Sequence, residues 1–69
     1  MKVYFNDRYD NMRLIAETPD EHEAWMAILN FCTERGFFIP YVRSWKEPRD
    51  GVTMTKYDVG SHTEFFYVE

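Results

Sequence analysis

Thr18-Pro19-Asp20-Glu21, the run from His22 to Arg35 that follows it, and Gly36 form the stretch that decides the fold. A hydroxyl before a proline, with a glutamate three positions on, has the form of a helix start. Thr18 serves as cap, Pro19 takes the first helical position, where its missing N–H costs nothing, and Glu21 closes a capping box and favours the helix dipole. Trp25, Ile28, Leu29 and Cys32 recur at helical spacing as one apolar stripe, which Ala24 and Phe31 widen. Asp20, Glu23, Asn30 and Glu34 fall on the solvated side. Gly36 supplies the stop, so the sequence predicts one helix ending at about Arg35.

On either side of that helix the punctuation falls at short intervals. Lys2 to Asn6 alternates and favours strand, Asp7 to Asn11 is a polar turn, and Met12 to Glu17 reads as the returning strand of a hairpin. Beyond Gly36, Phe37 to Trp45 is rich in aromatic and β-branched residues, and Pro40, which lacks an N–H, belongs at a strand start or on an edge. Pro48-Arg49-Asp50-Gly51 reads as a turn, Val52 to Val59 as the next strand, Gly60-Ser61-His62 as another turn, and Thr63 to Glu69 as a last strand. The order is β-β-α-β-β-β, an α+β fold in which a single helix packs on one face of an antiparallel sheet. With no repeat, low-complexity tract or linker, residues 1–69 read as one domain.

One helix covers one face. Alternation assigns Val3, Phe5, Leu14, Val42, Phe66 and Val68 to the helix side, and turns Tyr4, Tyr41, Arg43, Trp45, Tyr57, Phe65 and Tyr67 away from it. A slip of one residue in the last strand would exchange Phe65 and Tyr67 with Phe66 and Val68. The expected result is an open aromatic face larger than a monomer ordinarily exposes, which calls for a partner or for a homodimer.

Composition narrows the classes. The 69 residues are 45% hydrophobic and 19% aromatic, too apolar for a disordered chain. Cys32 is the only cysteine, so no intramolecular disulfide forms and a reducing compartment fits. There is no signal-peptide core and no membrane-spanning run, hence an expected cytoplasmic location with no membrane partner. A net charge of -4 opposes phosphate neutralisation and suits a protein partner with a basic surface.

Chemistry finds little to work with. His22, His62 and Cys32 lack metal-ligand spacing and read as a surface histidine, a turn histidine and a core thiol. Cys32 lies in the last turns of its helix, where the dipole disfavours a thiolate, and Asp20, Glu21 and Glu23 are the acids a first helical turn favours anyway. The three glycines are isolated, so no phosphate loop exists. We expect no catalytic residue, no metal and no cofactor, but a binding protein whose contact residues are Tyr41, Arg43, Trp45, Tyr57 and Tyr67, with Glu23 and Glu34 of the acidic helix contributing charge. Tyr41-Val42-Arg43-Ser44-Trp45-Lys46 also interleaves rings and cations as single-strand stacking platforms do, which keeps weak nucleic-acid binding as an alternative beside self-association. The acidic helix reads as a solvated face, or as a charge array that imitates DNA to a basic partner.

The C-terminal stretch Asp58-Val59-Gly60-Ser61-His62-Thr63-Glu64-Phe65-Phe66-Tyr67, with Glu21 to Trp25 and Tyr41-Val42-Arg43-Ser44-Trp45, resembles short uncharacterised proteins encoded by bacteriophages of Gram-positive bacteria. Small acidic phage proteins are often inhibitors of host defence, the anti-CRISPR proteins among them. The resemblance therefore implies an accessory protein, working inside the bacterial host, that binds and inhibits a host protein such as a defence nuclease. It assigns no residue a role.

Overall fold

A computed structural model describes all of residues 1–69. Its elements are β1 (Lys2–Asn6), β2 (Met12–Glu17), α1 (Glu21–Arg35), β3 (Arg43–Arg49), β4 (Val52–Asp58) and β5 (Phe65–Val68), the expected α+β order. All pairings in the five-stranded sheet are antiparallel, in the order β2-β1-β5-β4-β3. No helix is long and apolar enough to cross a membrane.

The helix start differs from expectation. Asp20 is the N-cap, in extended backbone, and its carboxylate accepts from the Glu23 N–H at 2.8 Å. Thr18 instead donates its hydroxyl to the Asp20 carbonyl, and Pro19 lies outside the helix. Both Thr18 and Asp20 have a glutamate three residues on, and the carboxylate is the stronger acceptor for the helix's unpaired N–H groups. The helix end is as expected: Gly36 is left-handed at φ 69°, its N–H bonds Thr33 and that of Phe37 bonds Cys32, which closes the last turn.

Ala24, Ile28 and Cys32 of α1 are buried against Val3, Phe66 and Val68 of the sheet. Phe5 sits between helix and sheet, its ring 4.8 Å from Phe31 and 5.3 Å from Phe66. Each such large side chain contributes about 1.5–3 kcal/mol. Cross-strand partners share a face, so Arg13, Phe5, Phe66, Tyr57 and Ser44 form a row on the helix side, and Leu14, Tyr4, Tyr67, Lys56 and Trp45 a row on the far side. The register of β5 is the expected one, with Phe66 and Val68 inward.

Three inward or outward assignments change. Leu14 is on the far face and about half exposed, because a bulge opposite Val3 and Tyr4 turns Ile15 and Ala16 both toward the core. Val42 precedes β3 and is exposed, since Phe37 to Val42 is loop and not strand. Tyr57 faces the helix, stacked on Trp25 at 5.7 Å with 22° between the rings.

The turn after β3 is also shorter than expected. Strand β3 runs through Pro48 and Arg49, leaving Asp50-Gly51 as a two-residue turn with positive φ at both positions (51° and 80°), the form whose twist suits a hairpin. Helix α1 stands over β1 and β2, so the β3–β4 hairpin projects beside it, and most of β3 is exposed on both faces.

Candidate partner-binding surface

The projecting hairpin and the far face of the sheet bring together most of the chain's unspent side chains. On β3, Arg43, Trp45, Glu47 and Arg49 alternate onto that face; β4 adds Lys56 and Asp58, and β5 adds Phe65 and Tyr67. Lys56 sits among three rings, its ammonium 4.1 Å from the centre of Phe65, 5.5 Å from Tyr67 and 5.7 Å from Trp45, with the Glu47 carboxylate at 3.6 Å. Arg43 lies between Trp45 and Tyr41, 5.7 and 5.6 Å from their centres, and donates to Asp58 at 2.8 Å. Rings and cations thus alternate across the surface, and the cations Arg43, Lys56 and Arg49 each already have a carboxylate.

Tyr67 is the centre of a covered network. Its hydroxyl donates to Glu47 Oε2 at 3.0 Å and accepts from Arg49 Nη1 at 3.1 Å, while Arg49 Nη2 reaches Asp10 Oδ1 at 2.6 Å. The ring is 1% exposed, so these long polar side chains close over it and no partner can reach it. Burial pushes the Glu47 carboxyl up, but bonds from Tyr67 and Trp45 and the Lys56 charge outweigh it and hold the group below the usual range. Asp10 is held low by Arg49 and Asn6. Beside this network lies a cleft of about 220 Å³, walled by Asn6, Asp10, Arg49, Lys56 and Phe65. Asn6 donates to Asp10, and its own Oδ1 is buried without a partner.

At the other end of the hairpin, Asp58 is 1% exposed and accepts from Arg43 and from the Gly60 N–H, the latter at 2.9 Å. Burial pushes its carboxyl up, but those donors and the nearby His62 more than offset that, so the group lies below its ordinary value. The Tyr41 hydroxyl lies 2.6 Å from His62 Nε2 and 3.4 Å from its Nδ1, which is itself 3.7 Å from the Asp58 carboxylate.

The expected contact residues are therefore divided. Tyr41, Arg43 and Trp45 stand together, exposed at the start of β3. Tyr57 is core, Tyr67 is sealed, and Glu23 and Glu34 are exposed on the helix, across the sheet from the rings. The open aromatic face is in fact a half-covered one. Lys56, Glu47, Arg49, Asp10, Asp58 and His62 escaped the sequence reading. The signal for two of them was present: once Asp50-Gly51 is taken as a two-residue turn, Asp58 must face Arg43 and Lys56 must face Trp45.

Compared with protein-family models, curated proteins and solved structures, the chain matches none.

Proposed function

We propose that the chain is a small phage-type accessory protein that binds a bacterial host protein and inhibits it, a defence nuclease being the class of target the resemblance implies. The observation that supports a binding role is the projecting β3–β4 hairpin, which carries exposed Trp45 and Arg43 outside the helix-covered core. An exposed indole beside an oriented guanidinium is the pairing that anchors protein interfaces. Tyr41 adjoins them, and the acidic helix, with Glu23 and Glu34, steers a basic partner without touching it.

Two alternatives lose ground on specific features. Phosphate binding needs free cations, and Arg43, Lys56 and Arg49 are all neutralised by carboxylates within the surface. Self-association through the free edge of β3 is opposed by Pro48 and by Arg43, Lys46 and Arg49, the residue types that blunt sheet edges.

Capture from a bacterial lysate, with nuclease treatment, tests the reading. A host protein retained by the wild type and by a Glu23→Lys, Glu34→Lys variant, but lost by folded Trp45→Ala and Arg43→Ala, supports it, and the purified target's activity should fall on adding the wild type. Retention unaffected by either hairpin substitution would sink it.

A further inference from the structure

The cleft beside Tyr67 is balanced in charge but not in hydrogen bonding. Its walls carry three cations, Arg8, Arg49 and Lys56, and three carboxylates, Asp7, Asp10 and Glu47. The carboxylates are occupied: Asp7 accepts from the Tyr9 and Asn11 N–H groups, Asp10 from Asn6 and Arg49, and Glu47 from Tyr67 and Trp45. The cations keep donors free. Arg49 uses two of its five N–H groups, on Tyr67 and Asp10. Lys56 has only 16% of its side chain exposed, yet its ammonium donates to nothing. The Glu47 oxygen beside it is 3.6 Å away, past hydrogen-bond length, and its other neighbours are the rings of Phe65, Tyr67 and Trp45. Arg8, in the turn after β1, has no carboxylate partner at all. A charged donor that is largely withdrawn from water and left without an acceptor is costly, and an acceptor arriving in the cleft relieves that cost.

We propose that this cleft, lined by Arg8, Arg49 and Lys56, binds a monocarboxylate, presented by a small organic acid or by the C-terminus of a peptide. The Arg8 guanidinium is a planar fork that fits two carboxylate oxygens at once, and Lys56 and the free N–H groups of Arg49 supply the remaining donors. Two of the three are positioned before the ligand arrives, Lys56 by its three rings and Arg49 by Tyr67 and Asp10. Arg8 is exposed and closes over from a turn whose backbone Asp7 fixes. The balance of charge selects the class of anion. Walls of no net charge offer donors but no surplus positive field, and the chain's net charge of -4 opposes each negative charge added, so a monoanion is favoured over a phosphate dianion or a nucleic-acid strand. Phe65 gives the carbon beside the carboxylate an apolar wall. Asn6 Oδ1, the unpaired acceptor nearby, is buried and meets no ligand. The inference is independent of the proposed host partner.

Titration of the isotope-labelled chain with acetylglycine, followed by NMR, tests it, with acetylglycinamide as the uncharged match and acetate as a carboxylate without a peptide group. We expect acetylglycine to give saturable shifts of the Arg8 and Arg49 side-chain N–H signals and of the Lys56 and Phe65 amides, and acetylglycinamide to give none. Acetate separates the two sources: affinity equal to that of acetylglycine marks a free organic acid, and weaker affinity a peptide terminus. Arg8→Gln should weaken acetylglycine at least about tenfold, the loss expected of one charge-assisted pair. Arg8 is exposed, so this variant keeps the fold, and the rest of its spectrum verifies that. Arg35→Gln, which removes a cation stacked on Phe31 away from the cleft, should leave the affinity unchanged. Shifts that do not saturate, equal shifts with acetylglycinamide, tighter binding of inorganic phosphate, or an affinity that survives Arg8→Gln overturns the proposal.

Discussion

Trp25 of the helix stacks on Tyr57 of β4 with ring centres 5.7 Å apart, and this contact ties the projecting hairpin to the α-helical layer. The same register that turns Tyr57 inward leaves Trp45 on the opposite face.

The two aromatic residues should therefore separate in a stability measurement. Tyr57→Ala removes a core ring and should cost about 3 kcal/mol. Trp45→Ala removes an exposed one and should cost less than about 1 kcal/mol. Urea melts of the two variants decide it, and similar losses for both would contradict the assignment of faces.

Asp20→Ala should lower stability by about 1 kcal/mol, because it leaves the Glu23 N–H without its acceptor. Thr18→Ala, whose hydroxyl makes only long, exposed bonds to the Met1 and Asp20 carbonyls, should cost a few tenths of that. The order of the two denaturation midpoints is the test.

Asp58 and Glu47 both lie below their ordinary values of 3.8 and 4.5 in the folded chain. The unfolded chain then binds more protons, so stability rises with pH across this range. Their contribution is complete above the unfolded values and is lost as pH falls through the lower folded ones. Denaturant midpoints should thus hold steady near about pH 6 and decline below about pH 4. Asp58→Asn should start lower at neutral pH and decline less steeply in acid.

Cys32 is 1% exposed, and burial pushes its thiol up, away from the reactive thiolate. Reaction with a thiol reagent should track global unfolding, slow in buffer and rapid in denaturant. Fast reaction of the folded protein would show that the C-terminal half of the helix opens locally.

Much of this architecture is legible in the sequence. Helix α1, the first hairpin and the order of elements follow from periodicity and turn chemistry, and Phe65-Phe66-Tyr67-Val68 took the expected register because only one phase puts Phe66 and Val68 beside Val3. The losses have local causes. The spacing that assigns the cap to Thr18 also holds for Asp20, which has Glu23 three residues on, so spacing alone does not separate the two. Leu14 was misplaced because a bulge breaks the period of two that strand reading depends on. Tyr57 was misplaced because Thr53-Met54-Thr55-Lys56-Tyr57 carries apolar and polar groups in both phases. Of the contact residues, Tyr41, Arg43 and Trp45 were legible as an exposed group, whereas the sealing of Tyr67 depends on Arg49 and Asp10, far apart in the chain.

Strand β5 lies between β1 and β4, and it provides the only strand pairing between the first hairpin and the second. Residues 1–58 therefore contain two sub-sheets with no ladder joining them. During synthesis both must wait, edges open, until residues 65–68 emerge from the ribosome and slide in as the middle strand. The chain should consequently fold in one concerted event, with both hairpins dependent on the strand that follows them.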